Sequence, residues 1–170
     1  MNSPLRKSPK IKLVTLLPKY FQITQDNEML VTDKSAKRAN LLLARLSFQS
    51  RRLSFAIPWR SNIKNDNWIK SYVYPLPTTS KTKDNYIACF DYKKMCPIPK
   101  YAKSLYQQYT FDRFGNDINT MLYIQNNFND IIFTAQQYLS EYDLKNIPYA
   151  VNIEKDLNKL DVWNDIKKNN

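Results

Sequence analysis

The apolar pattern of this 170-residue chain changes once along its length, and the change limits the folds that are possible. Before Pro99 the apolar residues form short runs or alternate with polar residues, which is typical of β-strands. After Pro99 they recur at steps of three and four, which is typical of amphipathic helices. Strands followed by helices predict an α+β fold with a curved antiparallel sheet.

The positions of the elements follow from the same pattern. We expect strands over 12–17, 41–48, 53–59, 71–76, 86–90 and 94–98, with Pro18 opening a short turn. In the helical half, Asn127 can cap a helix whose apolar residues share one face: Phe128, Ile131, Ile132, Ala135, Leu139 and Tyr142. We expect this to be the longest helix, with shorter ones near residues 118–122 and 153–163.

The chain length predicts one domain over residues 11–170. Residues 1–10 hold two prolines and three cations without an apolar period, which predicts a disordered basic arm. The run Leu13–Leu17 ends at Pro18, which makes it too short for a signal peptide, and no apolar run could cross a membrane. We therefore expect a cytoplasmic protein without a membrane partner.

Missing residue types exclude several chemistries. The chain has no histidine, which excludes Ser-His-Asp triads and most zinc sites. Cys89 and Cys96 lie seven residues apart, which is no common zinc spacing, so we interpret them as buried thiols and expect no metal or other cofactor. The only glycine is Gly115, whereas phosphate-binding loops of the Walker or Rossmann kind need several.

The positive charge is concentrated in the first two thirds of the chain. Residues 1–110 carry a net charge of +14 and residues 111–170 carry −3, which gives +11 in total. Tyrosine and phenylalanine are interleaved with the cations, and no basic amphipathic helix is present. The pattern indicates a nucleic-acid partner rather than a membrane. The alternative is an AT-rich genome, since many such genomes encode proteins with many lysines and asparagines.

Polar side chains follow directly after the predicted strand Phe55–Trp59, whose Pro58 suggests a sheet edge or a strand end. They supply a guanidinium, a hydroxyl, an amide and an ammonium group: Arg60, Ser61, Asn62 and Lys64. Such a set can hold a phosphodiester. The alternative is an ordinary charged loop that closes a strand, in which Asn62 forms the turn.

Further cations are expected near this segment. Because residues 41–48 and 53–59 predict an antiparallel hairpin, Lys37 and Arg38 lie close to Arg60. Lys93 and Lys94 belong to a stretch of basic and aromatic residues that could form a groove for an RNA backbone. The alternatives are a solvated cation for Arg38 and an ordinary surface for the groove.

The segment Phe55-Ala56-Ile57-Pro58-Trp59-Arg60-Ser61-Asn62-Ile63 resembles the endoribonuclease toxins of type III toxin–antitoxin and abortive-infection systems, the ToxN, TenpN, CptN and AbiQ group. It is most similar to the TenpN and CptN branch, where Phe-Ala-Ile-Pro-Leu-Arg-Ser is characteristic. Three weaker similarities lie in the family's order: Lys19-Tyr20, the segment 94–98 and the segment 123–127. Together they cover about residues 11–160.

The resemblance implies a compact, strongly twisted antiparallel sheet related to the MazF and Kid toxins. It implies a metal-independent endoribonuclease that cuts A-rich RNA and leaves 2′,3′-cyclic phosphate and 5′-hydroxyl ends. It also implies inhibition by a small repeat RNA antitoxin of pseudoknot-like fold and a closed oligomer held together by that RNA. The alternatives are a noncatalytic basic RNA- or DNA-binding module, and an inactive or structural protein.

By the same resemblance, Ser61 matches the family's active-site serine, Arg60 precedes it, and Tyr20 and Arg38 match a tyrosine and a cation of the family. A gapless match puts Ile63 at the position of the family's lysine, with Lys64 one residue later. We expect Ser61, Arg60, Lys64 and Tyr20 to be catalytic. We expect Arg38, Asn62, Lys37, Lys93 and Lys94 to bind RNA; Tyr20 could instead be a core aromatic residue.

Overall fold

A computed structural model describes residues 10–30, 38–66, 71–109, 118–142 and 146–170. Gly115, Lys37 and, except for Lys10, the predicted basic arm lie outside the described residues. No helix among the described residues is long and apolar enough to cross a membrane.

The first part of the chain supplies the strands. They are β1 (Leu13–Leu16), β2 (Asn40–Phe48), β3 (Arg51–Lys64), β4 (Val73–Leu76), β5 (Tyr86–Asp91), β6 (Cys96–Ile98) and β7 (Tyr106–Gln108). Helix α1 (Pro18–Thr24) follows β1, and 3₁₀ turns cover Tyr92–Lys94 and Lys100–Leu105. The later helices are α2 (Ile118–Asn126), α3 (Phe128–Ser140) and α4 (Ile153–Asn169).

The strands form one open, twisted sheet of seven strands in the order β4-β5-β3-β2-β1-β7, with β6 also paired to β3. Every pair is antiparallel. One large cluster of buried side chains joins the sheet to the helices, and Cys96 belongs to it as a free thiol. Cys89 is also a free, buried thiol and packs with Ile63 and Val73 in a smaller cluster. The predicted α+β fold is confirmed.

Strand β3 is longer than predicted, and residues 60–64 are part of it rather than a loop at its end. The prediction of a sheet edge at Pro58 is wrong, because β2 lies on one side of β3 and β5 and β6 lie on the other. β6 pairs with residues 54–56 and β5 pairs from Trp59 onward. On this side of β3, the neighbouring strand therefore changes from β6 to β5 at Pro58. Because Pro58 has no N–H group, no backbone donor is left without a partner at this change.

The prediction of the longest helix is also wrong. The helix after Asn127 is present as α3, with 13 residues, but α4 has 17. Asn152 caps α4 by accepting a hydrogen bond from the Lys155 N–H group, and Glu154 in the first turn and Lys167 and Lys168 in the last turn suit the helix dipole. Residues 164–169 of α4 are mostly polar and exposed, so they lie beyond the apolar stretch on which the prediction relied.

Candidate active site

A buried ion pair lies where β3 and β5 meet. Nη1 of Arg60 donates to Oδ2 of Asp91 over 2.7 Å, and the Asp91 side chain is only 1% exposed. Oδ1 of Asp91 accepts a hydrogen bond from the Lys93 N–H group at 3.2 Å. Arg60 is placed by the sheet, since it lies opposite Cys89 in β5, two residues before Asp91. The buried carboxylate of Asp91 thus fixes the position of the Arg60 guanidinium group.

Arg38 lies beside Arg60 on the neighbouring strand. Asn40 pairs with Pro58, and the Trp59 N–H group donates to Ala39 O at 2.9 Å, so the register continues to Arg38 and Arg60. Burial lowers the pKa of Arg38, and the charge of Arg60 lowers it further. Nε of Arg38 is buried and has no hydrogen-bond partner among the described residues. Two guanidinium groups therefore lie close together, and one has an unused donor.

Lys93 adds a third cation. It is 7% exposed and follows Asp91 in the 3₁₀ turn after β5. Burial lowers the pKa of Lys93; Asp91 opposes this shift, while Lys94 and Arg60 add to it. We call Arg38, Arg60 and Lys93, grouped around Asp91, the cation cluster. Its three positive charges exceed the single negative charge of Asp91, so the cluster can accept a phosphate group.

Ser61 directly follows Arg60, at an irregularity of β3. Arg60 pairs with Cys89 and Ile63 pairs with Ile87, so β3 has one residue more than β5 between these pairs. Such a β-bulge turns side chains away from their regular alternation. Ser61 is half-buried, and its hydroxyl makes no hydrogen bond to any described residue. It is available to a ligand.

Two candidates of the same segment lie elsewhere. Lys64 pairs with Tyr86, whose side chain points to the other face of the sheet from Cys89, so Lys64 does not lie on the face of Arg60. The amide of Asn62 holds the loop before β5, donating to Lys81 O at 3.0 Å and accepting from the Lys83 N–H group at 2.7 Å. The side chain of Asn62 therefore has a structural role in this loop.

Tyr20 and Lys94 are also engaged within the protein. Tyr20 is 0% exposed, and its hydroxyl donates to Pro97 O at 2.8 Å. Nζ of Lys94 contacts Glu28 Oε2 at 2.7 Å and Tyr149 O at 2.8 Å. The structure thus brings together Arg38, Arg60 and Lys93. Ser61 directly follows Arg60 in β3, whereas Tyr20 lies in the core and Lys64 lies on the other face of the sheet. Asn62 and Lys94 are tied to other groups.

Asp91 was missed by the sequence interpretation. A signal was present, because an aspartate that directly follows an apolar strand and precedes two lysines is placed to organise cations. Its partner Arg60 is 31 residues away in sequence, and only the pairing of β3 with β5 joins them.

No protein-family model and no curated protein sequence matches the chain. Solved structures share its fold, and two of them are described below. The first is AbiQ, a lactococcal anti-phage endoribonuclease of the type III toxin–antitoxin system, at 14% identity and a TM-score of 0.67 over 92% of this chain and 99% of AbiQ.

The second solved structure comes from a bacterial antiviral system that a processed non-coding RNA regulates. It is 13% identical, with a TM-score of 0.58 over 84% of this chain and 93% of that one. The likeness supports the toxin–antitoxin resemblance without singling out its TenpN and CptN branch. The chain has the fold of AbiQ.

Proposed function

We propose that the protein is an endoribonuclease toxin of a type III toxin–antitoxin system. The observation that carries the proposal is the cation cluster. Ser61, whose hydroxyl makes no hydrogen bond to any described residue, directly follows Arg60 of this cluster in β3. The fold shared with the endoribonuclease AbiQ supports it. The net charge of +11 suits an RNA substrate.

The proposed reaction needs only groups of this chain and water. The 2′ oxygen of the RNA attacks the neighbouring phosphorus and gives its proton to a water molecule, the bond from phosphorus to the 5′ oxygen breaks, and that oxygen gains a proton. The products are a 2′,3′-cyclic phosphate and a 5′ hydroxyl. Arg38 and Arg60 stabilise the negative charge that develops on the nonbridging oxygens, because half-buried cations act more strongly on a transition state than fully solvated ones. This reaction requires no metal.

Ser61 and Lys93 complete the proposed mechanism. The Ser61 hydroxyl hydrogen-bonds a nonbridging oxygen or the 2′ hydroxyl. Lys93 has a lowered pKa, so its ammonium group gives up a proton more readily than that of an ordinary lysine. We therefore assign to Lys93 the proton that the leaving 5′ oxygen takes up.

The proposal includes an RNA antitoxin and A-rich substrate sites. A fold neighbour from a system regulated by a non-coding RNA supports the antitoxin. A repeat RNA with a pseudoknot-like fold would occupy the cation cluster, block the substrate and join several copies of the protein into a closed assembly. A tandem repeat array upstream of the reading frame is the corresponding genetic expectation.

Expression of the protein without its antitoxin tests the proposal. The wild type should arrest growth, and Ser61→Ala should relieve the arrest, since the loss of one transition-state hydrogen bond slows such reactions about 100-fold or more. Ser50→Ala is the matched control, because Ser50 is exposed in the hairpin turn between β2 and β3. Arrest by Ser61→Ala at wild-type protein levels would remove Ser61 from the mechanism.

A noncatalytic RNA-binding module would use the same cations. This alternative predicts salt-dependent RNA binding without cleavage, whether or not a chelator is present. Cleavage by the wild type but not by Ser61→Ala, with equal binding of RNA by both, would exclude it.

A further inference from the structure

The 3₁₀ turn Tyr92–Lys94, which carries Lys93 of the cation cluster, is held in place on both sides. The Lys93 N–H group donates to Oδ1 of Asp91 at 3.2 Å. The Lys93 carbonyl oxygen accepts a hydrogen bond from the Val151 N–H group at 2.8 Å. Both backbone polar groups of Lys93 are therefore bonded, so its side chain leaves a fixed backbone.

Lys94, the last residue of the turn, joins it to two distant segments. Its Nζ atom lies 2.7 Å from Oε2 of Glu28 and donates to Tyr149 O at 2.8 Å, and its side chain is only 12% exposed. The Glu28 N–H group donates to Oδ1 of Asp26 at 2.8 Å, and Oδ2 of Asp26 accepts from the Asn152 N–H group at 2.9 Å. The connection after α1 and the connection before α4 thus meet at the Lys94 ammonium group.

The charges of Glu28 and Lys94 also act on Lys93. Burial has the largest effect on the pKa of Lys93 and lowers it. Among the neighbouring charges, two raise this pKa and two lower it: Asp91 and Glu28, and Lys94 and Arg60. Because Glu28 and Lys94 act in opposite senses, their ion pair changes the charge around Lys93 little. Loss of either partner alone would upset this balance.

We propose that Glu28 and Lys94 are positioning residues for Lys93. Their ion pair holds the turn that presents the Lys93 ammonium group at the cation cluster, and it balances the charge around that group. This inference rests on the proposed function, in which Lys93 gives its proton to the leaving 5′ oxygen. Glu28 and Lys94 then act on cleavage through Lys93 and not by contact with the RNA.

The dependence of single-turnover cleavage on pH tests the proposal. With protein in excess and protein-free cutting subtracted, the rate should fall at high pH as Lys93 loses its proton. Glu28→Gln removes a negative charge that favours the ammonium form, so this fall should move to lower pH. Lys94→Met removes a positive charge that disfavours the same form, so the fall should move to higher pH. We expect opposite shifts of about half a pH unit, which cancel in the double variant.

Matched controls and a binding assay separate this role from others. Glu154→Gln and Lys103→Met remove the same charges at exposed positions and should leave the fall at its wild-type pH. Lys94→Met should also slow cleavage about tenfold at the optimal pH with RNA binding unchanged, because the turn is held less firmly. A salt bridge with only a structural role would lower heat stability in both variants and leave the pH dependence in place. That result, shifts in the same direction, or weaker RNA binding by Lys94→Met would overturn the proposal.

An NMR titration of Lys93 distinguishes this proposal from the proposed function. The ε-carbon signal of Lys93, assigned by its absence from Lys93→Arg, reports the pKa of the ammonium group without RNA. Glu28→Gln should lower this pKa and Lys94→Met should raise it. If both shifts occur but the wild type cuts no RNA, the proposed function fails and the action of the ion pair on Lys93 stands. Cleavage of RNA by the wild type, with the pKa of Lys93 unchanged in both variants, would overturn the positioning role and leave the ribonuclease intact.

Discussion

Asp156 provides a sharp test of the physical account of the fold. It lies in the first turn of α4 and is 0% exposed. Burial, then the neighbouring charge of Asp26 and a hydrogen bond with the Asp26 side chain, raise the pKa of Asp156 to about 8, while the charges of Lys159 and Lys155 oppose the shift. At neutral pH the native protein therefore keeps a proton on this side chain.

The sign and size of the effect follow from the difference between the native and the unfolded chain. An unfolded aspartate loses its proton near its ordinary pKa of 3.8. Between about pH 4 and pH 8 the native state binds a proton that the unfolded state does not, so stability falls as the pH rises. At pH 7 the difference spans about 3 pKa units, which costs about 4 kcal/mol at about 1.4 kcal/mol per unit.

Asp156→Asn should remove this cost. We expect the variant to be more stable than the wild type by up to about 4 kcal/mol at pH 7, but by only about 1 kcal/mol at pH 4.5. Urea unfolding followed by circular dichroism at the two pH values measures both differences. Asp165→Asn, on the exposed side of the same helix, is the matched control. A gain of equal size at both pH values, or a loss at both, would refute the reasoning.

Three further predictions concern the candidate active site and its surroundings. Asp91→Asn should destabilise the protein by about 3 kcal/mol, as measured by urea unfolding, because it leaves the buried cation cluster without its counter-charge. Lys93→Arg should keep RNA binding in a filter assay but slow single-turnover cleavage at least tenfold, because arginine retains its proton. Tyr20→Phe should lose about 1 kcal/mol of stability and keep its cleavage rate, because the hydroxyl of Tyr20 contacts only buried Pro97 O. Slower cleavage by a folded Tyr20→Phe variant would contradict this prediction and would indicate that Tyr20 acts in the active site.

The sequence pattern was sufficient for most of the fold. The strands before Pro99 and the helices after it lie near their predicted positions, because short apolar runs and three–four spacing reflect burial directly. The extension of β3 through Lys64 was not predictable in this way. Its last residues are polar, and only pairing with β5 gives them strand structure. The length of α4 was likewise not predictable from the spacing of apolar residues, because residues 164–169 at its end are mostly polar and exposed.

The candidate site was predictable in part for a similar reason. Arg38 was expected near Arg60 because the hairpin register of β2 and β3 follows from local sequence, and the structure brings the two together. The positions of Lys64 and Tyr20 depended on details that local sequence does not contain. A β-bulge after Arg60 decides the face on which Lys64 lies, and the approach of Pro97, 77 residues away, buries the Tyr20 hydroxyl.

The products of RNA cleavage in the presence of a chelator test the central claim most directly. Purified protein is incubated with excess EDTA and an A-rich RNA, beside the same RNA with a single 2′-deoxynucleotide at the cut, and the ends are identified by mass spectrometry. The account predicts 2′,3′-cyclic phosphate and 5′-hydroxyl ends from the all-ribose RNA and no cut at the deoxynucleotide. Cleavage that requires a metal ion, or that proceeds at the deoxynucleotide, would contradict it.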